Sequence, residues 1–284
     1  MHFDVDGTDA YAYTGGRPPA GDRPVVVFIH GAQLDHSVWI LQSRYLAHHD
    51  HDVLALDLPG HGRSGGAPLR TIGALADWTL AAVGQALRSL GTRAMPPVVL
   101  VGHSMGSLIA LEATRDAPAW LAGIVLVSTA VPMKVSDALL SAAADDEPRA
   151  LDMINAWSNA GLTHPPGAPG PGFSIFNQNR RLMERQRPGV LATDFGACNA
   201  YADGLDRARA CRLPVLLVSG AADQMTPPRA SRALADALAR SHGVVVPGAG
   251  HNLMAERPDA LLDALLRWLP GVVGAGADDA SARG

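Results

Sequence analysis

The stretch VLVGHSMGSLIA, residues 99–110, joins an apolar β-type run to a helical pattern through a serine placed between two glycines. Glycine at Gly102 and Gly106 lets neighbouring backbone pass close to a sharply bent Ser104. The amino end of the following helix favours developing negative charge. A strand, then G-x-S-x-G, then a helix is the context that a nucleophile elbow requires. The stretch therefore predicts that Ser104 is a nucleophile.

A serine hydroxyl is a weak nucleophile by itself, so the chain has to supply a base and an acid that orients the base. Asp223 closes the apolar run LPVLLVSGAAD, residues 213–223, and the prolines of the following QMTPP stop that strand. His251 lies in GAGHN, directly after the run GVVVPG of residues 243–248. Ser104, Asp223 and His251 come in the chain order serine, acid, histidine, each after a strand, and are predicted to form a catalytic triad.

An oxyanion site needs two backbone N–H groups directed at the developing charge. Met105, the residue after the nucleophile, is predicted to supply one. The segment HGAQLDHSVW, residues 30–39, follows the first buried run of the parallel pattern. Its Ala32 is the predicted second donor, because Gly31 allows a tight turn there.

Three further histidines and one aspartate follow strands without fitting this triad. His61 lies in DLPGHGRS, residues 57–64, where proline and glycine mark a turn, and it is the competing base. His30 is expected to hold the oxyanion loop, and His103 is expected to be structural. Asp57 precedes the nucleophile in the chain, where the triad order does not place its acid, so we assign it to a loop.

The composition is that of a globular protein, with 48% hydrophobic and 18% charged residues. A net charge of −4 argues against nucleic acid as a partner, because phosphate binding needs clustered positive charge. Cys198 and Cys211 lack metal-ligand spacing and are expected to be free thiols. The first residues lack the basic and apolar run of a signal peptide, and no apolar stretch has membrane-spanning length. The sequence thus predicts a cytoplasmic protein without a membrane partner.

Short apolar runs alternate with longer amphipathic segments, a pattern typical of a parallel α/β sheet. Buried strands are predicted at 24–31, 52–59, 96–104, 121–130, 213–223 and 243–248. Helices are predicted near 37–48, 71–90, 105–116, 228–240 and 256–269, and an antiparallel hairpin within 1–14. The alternation breaks between about Val131 and Arg212, and about 80 residues without a strand pattern indicate an inserted helical cap.

Together these motifs resemble the α/β-hydrolase family. The resemblance rests on HGAQ, DLPGHGRS, GHSMG, GAADQMTPP and GAGHN. It implies a doubly wound, mostly parallel α/β sheet with an inserted helical cap. The first part of the core is placed at 1–131, the cap or lid at 132–211 and the second part of the core at 212–270. The tail, residues 271–284, has no periodic apolar face and is predicted to be disordered.

The resemblance implies a serine hydrolase that cleaves a small to medium carboxylic ester or lactone through an acyl-enzyme, with no metal and no organic cofactor. An acyltransferase, a cofactor-free haloperoxidase or perhydrolase, and a C–C bond hydrolase use the same triad and stay open as alternatives. His103 stands where C–C bond hydrolases commonly carry asparagine, which lowers that alternative. A non-catalytic member that binds a small ligand is disfavoured, because a pure binder need not keep three residues aligned.

The predicted cap is expected to decide the substrate. Trp157, Phe173 and Phe176 are candidates for the wall of a substrate pocket, together with Met225 beside the predicted acid. Packing within the cap's own core is the competing interpretation for the aromatic residues. The segment NRRLMERQR, residues 179–187, is either a solvated helix face or a surface that meets an anionic substrate or an acidic carrier protein.

Overall fold

The computed structural model of the protein describes residues 1–91, 94–161 and 174–274. Its strands are β1 (His2–Val5), β2 (Thr8–Tyr13), β3 (Val25–Ile29), β4 (Asp52–Asp57), β5 (Val98–His103), β6 (Leu121–Val127), β7 (Val215–Gly220) and β8 (Ser241–Val246). They form one sheet in the order β1-β2-β4-β3-β5-β6-β7-β8. The pairs β1–β2 and β2–β4 are antiparallel, and all other neighbours are parallel. The predicted hairpin and the mostly parallel sheet are confirmed.

The helices of the described residues are α1 (Ile40–Ala47), α2 (Ile72–Ser89), α3 (Met105–Glu112), α4 (Asp137–Asp145), α5 (Glu147–Ser158), α6 (Ile175–Glu184), α7 (Val190–Ala200), α8 (Gly204–Ala210), α9 (Arg232–Ala237), α10 (Leu253–Glu256) and α11 (Pro258–Val273). Short 3-10 helices at His36–Trp39 and Pro228–Ser231 precede α1 and α9. The end of α11 at Val273 makes residues 271–273 of the predicted tail helical, and residues 275–284 lie outside the described part of the chain.

The central strands are buried on both faces, which explains why they read as continuous apolar runs in the sequence. In β3, Val25, Val27 and Ile29 join a cluster that includes residues of α2 and α3. Val26 and Phe28 point to the opposite face and join a cluster that includes residues of α11. Side chains alternate between the two faces of a strand, so both faces of β3 need apolar residues.

The buried residues of the helices between β6 and β7 belong to two different hydrophobic clusters, one within the helical insertion and one within the sheet's core. The helices α4 to α7 form a separate cluster with Leu34 from the loop after β3: Leu139, Ala142, Ala143, Ala150, Leu151, Ile154, Met183, Leu191 and Phe195. Cys198 and Tyr201, at the end of α7, and Ala208 of α8 belong instead to a core cluster of the sheet. The carboxyl end of this helical insertion is therefore packed into the sheet's own core.

The predicted site residues follow the carboxyl ends of parallel strands. Ala32 comes after β3, Ser104 after β5, Asp223 after β7 and His251 after β8. Parallel strands direct their carboxyl ends to one edge of a sheet, which is where ligands bind in open α/β folds. The helical insertion leaves the sheet at this same edge, after β6.

Candidate active site

Ser104 occupies the sharp turn between β5 and α3, with backbone angles φ 51° and ψ −118°. A positive φ is strained for a residue with a side chain, so the surrounding structure has to enforce it. A Cβ at Gly102 would overlap the carbonyl oxygen of Gly106, and a Cβ at Gly106 would overlap that of Ile29. The backbone can pack this closely around Ser104 because both positions are glycine. The strand–turn–helix arrangement predicted from GHSMG is present.

His251 and Asp223 form a buried pair, in which His251 Nδ1 lies 2.9 Å from Asp223 Oδ2. Asp223 also accepts the N–H of Met225 at 2.9 Å and the N–H of Thr226 at 2.8 Å. Burial by itself would raise the pKa of Asp223, but the interaction with His251 and these hydrogen bonds outweigh it and lower the pKa below its usual value. Asp223 is therefore ionised at neutral pH and accepts a proton-bearing Nδ1, which leaves Nε2 for chemistry.

Thr226 is a residue of this site that the sequence analysis does not identify. Its hydroxyl donates to Asp223 Oδ2 at 2.8 Å and lies 3.2 Å from His251 Nδ1. The signal for it is local. An aspartate before a turn tends to accept N–H groups two and three residues later, and the third residue after Asp223 is this threonine, whose hydroxyl is then close to the carboxylate.

Ser104 and His251 line the same cavity space. Two adjoining cavities of about 30 Å³ and about 180 Å³ share both residues in their walls, together with Ala32, Phe195 and Met225. The shared wall combines the carboxyl edge of the sheet with α7 of the helical insertion. The elbow serine and the imidazole of the His251–Asp223 pair therefore face the same space.

The four residues predicted to bind substrate have different positions. Trp157 and Met225 line the larger cavity. Phe176 is absent from the walls of both cavities, and its carbonyl oxygen accepts the side-chain amide of Asn155 at 2.9 Å. Phe173 lies outside the described residues. Phe195, on α7, is an aromatic wall residue that the structure adds.

The two predicted oxyanion donors come from different segments. Ala32 lies in the loop after β3, and Met105 directly follows Ser104. Ala32 lines both cavities, and Met105 is the first residue of α3. Among the described residues, neither backbone N–H has a hydrogen-bond acceptor. A Cβ at Gly31 would come within 3.3 Å of Ser104 Cβ and 2.9 Å of His103 Nδ1, so glycine lets this loop lie against the elbow. Free N–H groups beside the serine have the chemistry that an oxyanion hole needs.

His30 and His103 are neutral side chains that hold the backbone around the site. His30 Nδ1 donates to the carbonyl oxygen of Gly31 at 2.8 Å, and Nε2 accepts the N–H of Leu58 at 3.1 Å. His103 Nε2 donates to the carbonyl oxygen of His251 at 2.9 Å. Burial lowers the pKa of His30 to about 4 and that of His103 to about 3. Both geometries agree with the structural roles expected from the sequence.

His61, the competing base, is fully buried and absent from the walls of both cavities. Its Nδ1 lies 3.0 Å from the carbonyl oxygen of Pro59, and its Nε2 lies 2.9 Å from Asp194 Oδ2. Both partners are acceptors, so both ring nitrogens carry protons. Burial lowers the pKa of His61, but the carboxylate of Asp194 outweighs burial and raises it. His61 thus ties α7 to the loop after β4, and the carboxylate of Asp194 favours its charged form.

The same carboxylate also holds the loop that carries Ala32. Asp194 Oδ2 accepts the N–H of Gln33 at 2.9 Å, and the Gln33 side chain donates to the carbonyl oxygen of Met183 at 3.2 Å. Gln33 has a positive φ of 59°, which is unusual for a residue with a side chain. The helical insertion therefore fixes the residue that follows Ala32.

The arginines of residues 179–187 are mostly engaged within the protein. Arg185 donates to both carboxylate oxygens of Asp35 at 2.8–3.0 Å. Arg187 donates to backbone carbonyl oxygens at residues 64 and 66, and Arg180 pairs with Asp152 and Glu184. Arg181 also pairs with Glu184, but its side chain is 85% exposed. Among the described residues, Arg181 is the one of these four arginines whose only partner lies in its own helix, and the predicted contact with an anionic partner stays a prediction.

Replacing Arg185 by alanine is expected to lower the free energy of unfolding by about 1–2 kcal/mol, because the buried Asp35 loses its charged donor. Burial would raise the pKa of Asp35, but hydrogen bonds from Ser37 and the charge of Arg185 lower it. Arg181→Ala is the matched control and is expected to change stability by less than about 0.5 kcal/mol. Urea unfolding measures both variants. Equal losses would contradict the assignment of Arg185 as an anchor.

The sheet topology and the elbow define the class of protein. A family model described as "Alpha/beta hydrolase family" matches residues 26–264, and the chain belongs to this family. The family resemblance stated from the motifs is confirmed, and so is the prediction of a hydrolase. Among the described helices, none is long and apolar enough to cross a membrane.

Individual relatives cover nearly the whole chain at low identity. The putative carbamate hydrolase RutD of Klebsiella pneumoniae (strain 342) is 28% identical over an alignment of 269 positions, which covers 89% of this chain and 95% of that protein. An enol-lactonase from Burkholderia xenovorans LB400 has a TM-score of 0.78 at 23% identity, covering 95% of this chain and 99% of that chain. The esterase EaEST from Exiguobacterium antarcticum has a TM-score of 0.77 at 20% identity, covering 93% and 96%. The two structural likenesses show a shared fold.

Proposed function

We propose that the protein hydrolyses a small carboxylic ester or lactone through an acyl-enzyme formed on Ser104. One observation carries the proposal: a strained elbow serine shares a cavity with His251, whose Nδ1 is hydrogen-bonded to the ionised Asp223. Esterases and a lactonase among the structural neighbours are consistent with it. No step of the proposed reaction calls for a metal or an organic cofactor.

In the proposed first half-reaction, Ser104 Oγ attacks the substrate carbonyl carbon while His251 Nε2 takes the hydroxyl proton. The carbonyl oxygen becomes an oxyanion and accepts the N–H groups of Ala32 and Met105. The intermediate collapses, His251 returns the proton to the leaving alkoxide, and an acyl-serine ester remains. Asp223 keeps the imidazole in the useful tautomer and stabilises its charged form.

The second half-reaction repeats these steps with water. His251 Nε2 takes a proton from water as the water oxygen attacks the acyl carbon, and the same two N–H groups hold the oxyanion. Collapse returns the proton to Ser104 Oγ and releases the carboxylic acid. Thr226 supports both halves, because its hydroxyl and N–H bond Asp223 and fix the carboxylate against His251.

We assign residues 132–211 as a cap on a core made of 1–131 and 212–270. Trp157 and Phe195 from this segment meet Met225 in the wall of the larger cavity, which supports a role of the cap in substrate choice. The cavity of about 180 Å³ lies below the usual range for drug-sized ligands, so a small substrate is proposed.

A substrate panel separates ester or lactone hydrolysis from acyl transfer, perhydrolysis and carbamate hydrolysis. Product analysis with added alcohols or thiols reports acyl transfer, and added peroxide reports perhydrolysis. A carbamate belongs in the panel, since the relative RutD is named as a putative carbamate hydrolase. Ser104→Ala protein is the background control for every substrate.

An organophosphate or a sulfonyl fluoride is expected to modify Ser104 alone, because these reagents react quickly only with a serine activated by a base and an oxyanion site. Peptide mapping after labelling should find one adduct, on the peptide that contains GHSMG. His251→Ala protein should label slowly. An adduct on another serine, or no adduct under conditions that label a known serine esterase, would overturn the proposed triad.

A further inference from the structure

The wall of the larger cavity carries a full positive charge that the proposed reaction does not use. Lys134, the only lysine in the sequence, lies between β6 and α4 and lines this cavity together with Ser104 and His251. Its Nζ donates to the carbonyl oxygen of Asn199 at 3.0 Å. That bond ties the ammonium to the end of α7, which contributes Phe195 to the same wall.

Lys134 has no carboxylate within ion-pair distance among the described residues. An ammonium group has three donors, and the bond to Asn199 uses one of them, so two are left for a ligand. Among the described residues, no aspartate or glutamate lines this cavity, and Asp223 reaches it only through His251 and Thr226, to which it is hydrogen-bonded. Apart from the imidazole, the wall therefore carries one formal charge, and it is positive.

Most of the other residues in this wall are apolar. They include Ala32, Met133, Leu139, Trp157, Phe195 and Met225. Such a wall favours a hydrocarbon segment through burial of apolar surface. The combination is a reacting serine, an apolar space and a positioned ammonium group with free donors.

We infer that Lys134 binds a carboxylate carried by the substrate away from the scissile carbonyl. The substrate class is then an ester or lactone that also bears a free carboxylate, with a short hydrocarbon segment between the two groups. This inference rests on the proposed function of Ser104 and names the substrate of the same site. The net charge of −4 disfavours anions in general, so the preference has to come from this local charge.

Pairs of substrates that differ by one group test the inference. Monomethyl glutarate and methyl pentanoate differ on the acyl side by a carboxylate in place of a methyl group, and acetoxyacetate and ethyl acetate differ in the same way on the alcohol side. Rates are measured for wild type, Lys134→Gln, Lys134→Arg and Arg181→Gln. Arg181 is the matched control, because it is an exposed cation of the same helical insertion that is absent from both cavity walls.

Lys134→Gln is expected to lower kcat/KM for at least one carboxylate substrate about three- to tenfold, mainly through KM, and to leave its neutral partner unchanged. Lys134→Arg should retain most of the preference, and Arg181→Gln should retain all of it. Added salt should weaken the preference in wild type, because an ammonium at the cavity mouth is screened. Equal effects of Lys134→Gln on both members of every pair would overturn the inference and leave the proposed hydrolysis standing.

Binding of glutarate to Ser104→Ala protein, measured by calorimetry, separates this inference from the proposed function. Affinity that falls in the Ser104→Ala, Lys134→Gln double variant supports the carboxylate site even if no ester is cleaved. If wild-type protein hydrolyses none of the four substrates, the result would count against the proposed function but not against the carboxylate site. Absent binding, or equal affinity in the two variants, would count against Lys134.

Discussion

Replacing His251 by alanine is expected to lower kcat for a cleaved ester by about 10⁵-fold or more, and Asp223→Asn by about 10⁴-fold. The histidine change removes the group that moves the proton in both half-reactions. The aspartate change keeps the imidazole but loses the carboxylate that accepts Nδ1–H at 2.9 Å, so the wrong tautomer becomes available. Pre-steady-state and steady-state kinetics on one ester measure both effects, with Ser104→Ala as the reference for full loss.

A second buried histidine gives an independent check on the base. His61→Ala is the comparison, with rates expressed per folded protein, because His61 is buried against Asp194 away from both cavities. A loss for His61→Ala as large as that for His251→Ala would contradict the assigned base.

The second large effect is expected in stability and comes from Asp194. Asp194→Ala should lower the free energy of unfolding by about 3–5 kcal/mol, because it leaves the buried His61 without a counter-charge and the N–H of Gln33 without an acceptor. Asp194→Asn should lower it less, since an amide oxygen can still accept one of these donors. Urea unfolding followed by circular dichroism measures the variants.

The sign of the pH effect follows from the raised pKa of His61. A group whose pKa is higher in the folded state stabilises fully below its unfolded pKa, about 6.5 for histidine, and this contribution is lost as pH rises through the folded value. The stability gap between wild type and Asp194→Ala should therefore be largest near pH 6 and shrink at alkaline pH.

An exposed pair in the same chain is the control for this ion pair. His2 Nδ1 lies 3.0 Å from Asp9, and both side chains are more than half exposed. Asp9→Ala is expected to cost less than about 1 kcal/mol, because exposed pairs are screened by water. A loss for Asp194→Ala no larger than that for Asp9→Ala, or a gap that widens with pH, would contradict the buried ion pair.

The sequence by itself determined the sheet and the residues placed at its carboxyl edge. Continuous apolar runs mark the central strands, which are buried on both faces, and the three predicted triad residues lie one, three and five residues after β5, β7 and β8. The run of β8, predicted as a buried strand, is the exception, because most of its residues are exposed. The elbow is only partly local. Gly102 is required by backbone contacts with Gly106 and Ser107 in the same motif, whereas Gly106 is required by the backbone of Ile29 and His30, at the end of β3. The apolar runs and the G-x-S-x-G spacing are features of neighbours in the chain, so the sequence could reveal them.

Only the tertiary structure decided which distant side chains meet. His61 and Asp194 are 133 residues apart, and Arg185 and Asp35 are 150 apart. In the sequence, Arg185 is indistinguishable from Arg181. In the structure, Arg185 pairs with the buried Asp35 of a distant loop, whereas Arg181 pairs with Glu184 of its own helix.

The residues that line the larger cavity were likewise decided by the tertiary structure and not by local sequence. Trp157 and Phe176 are both aromatic residues of the insertion, and only Trp157 reaches the larger cavity. Lys134 gives no local signal that it lines the same cavity as Ser104. Its position depends on how α7 packs against the segment after β6, and long-range packing of this kind leaves no periodic pattern in the chain.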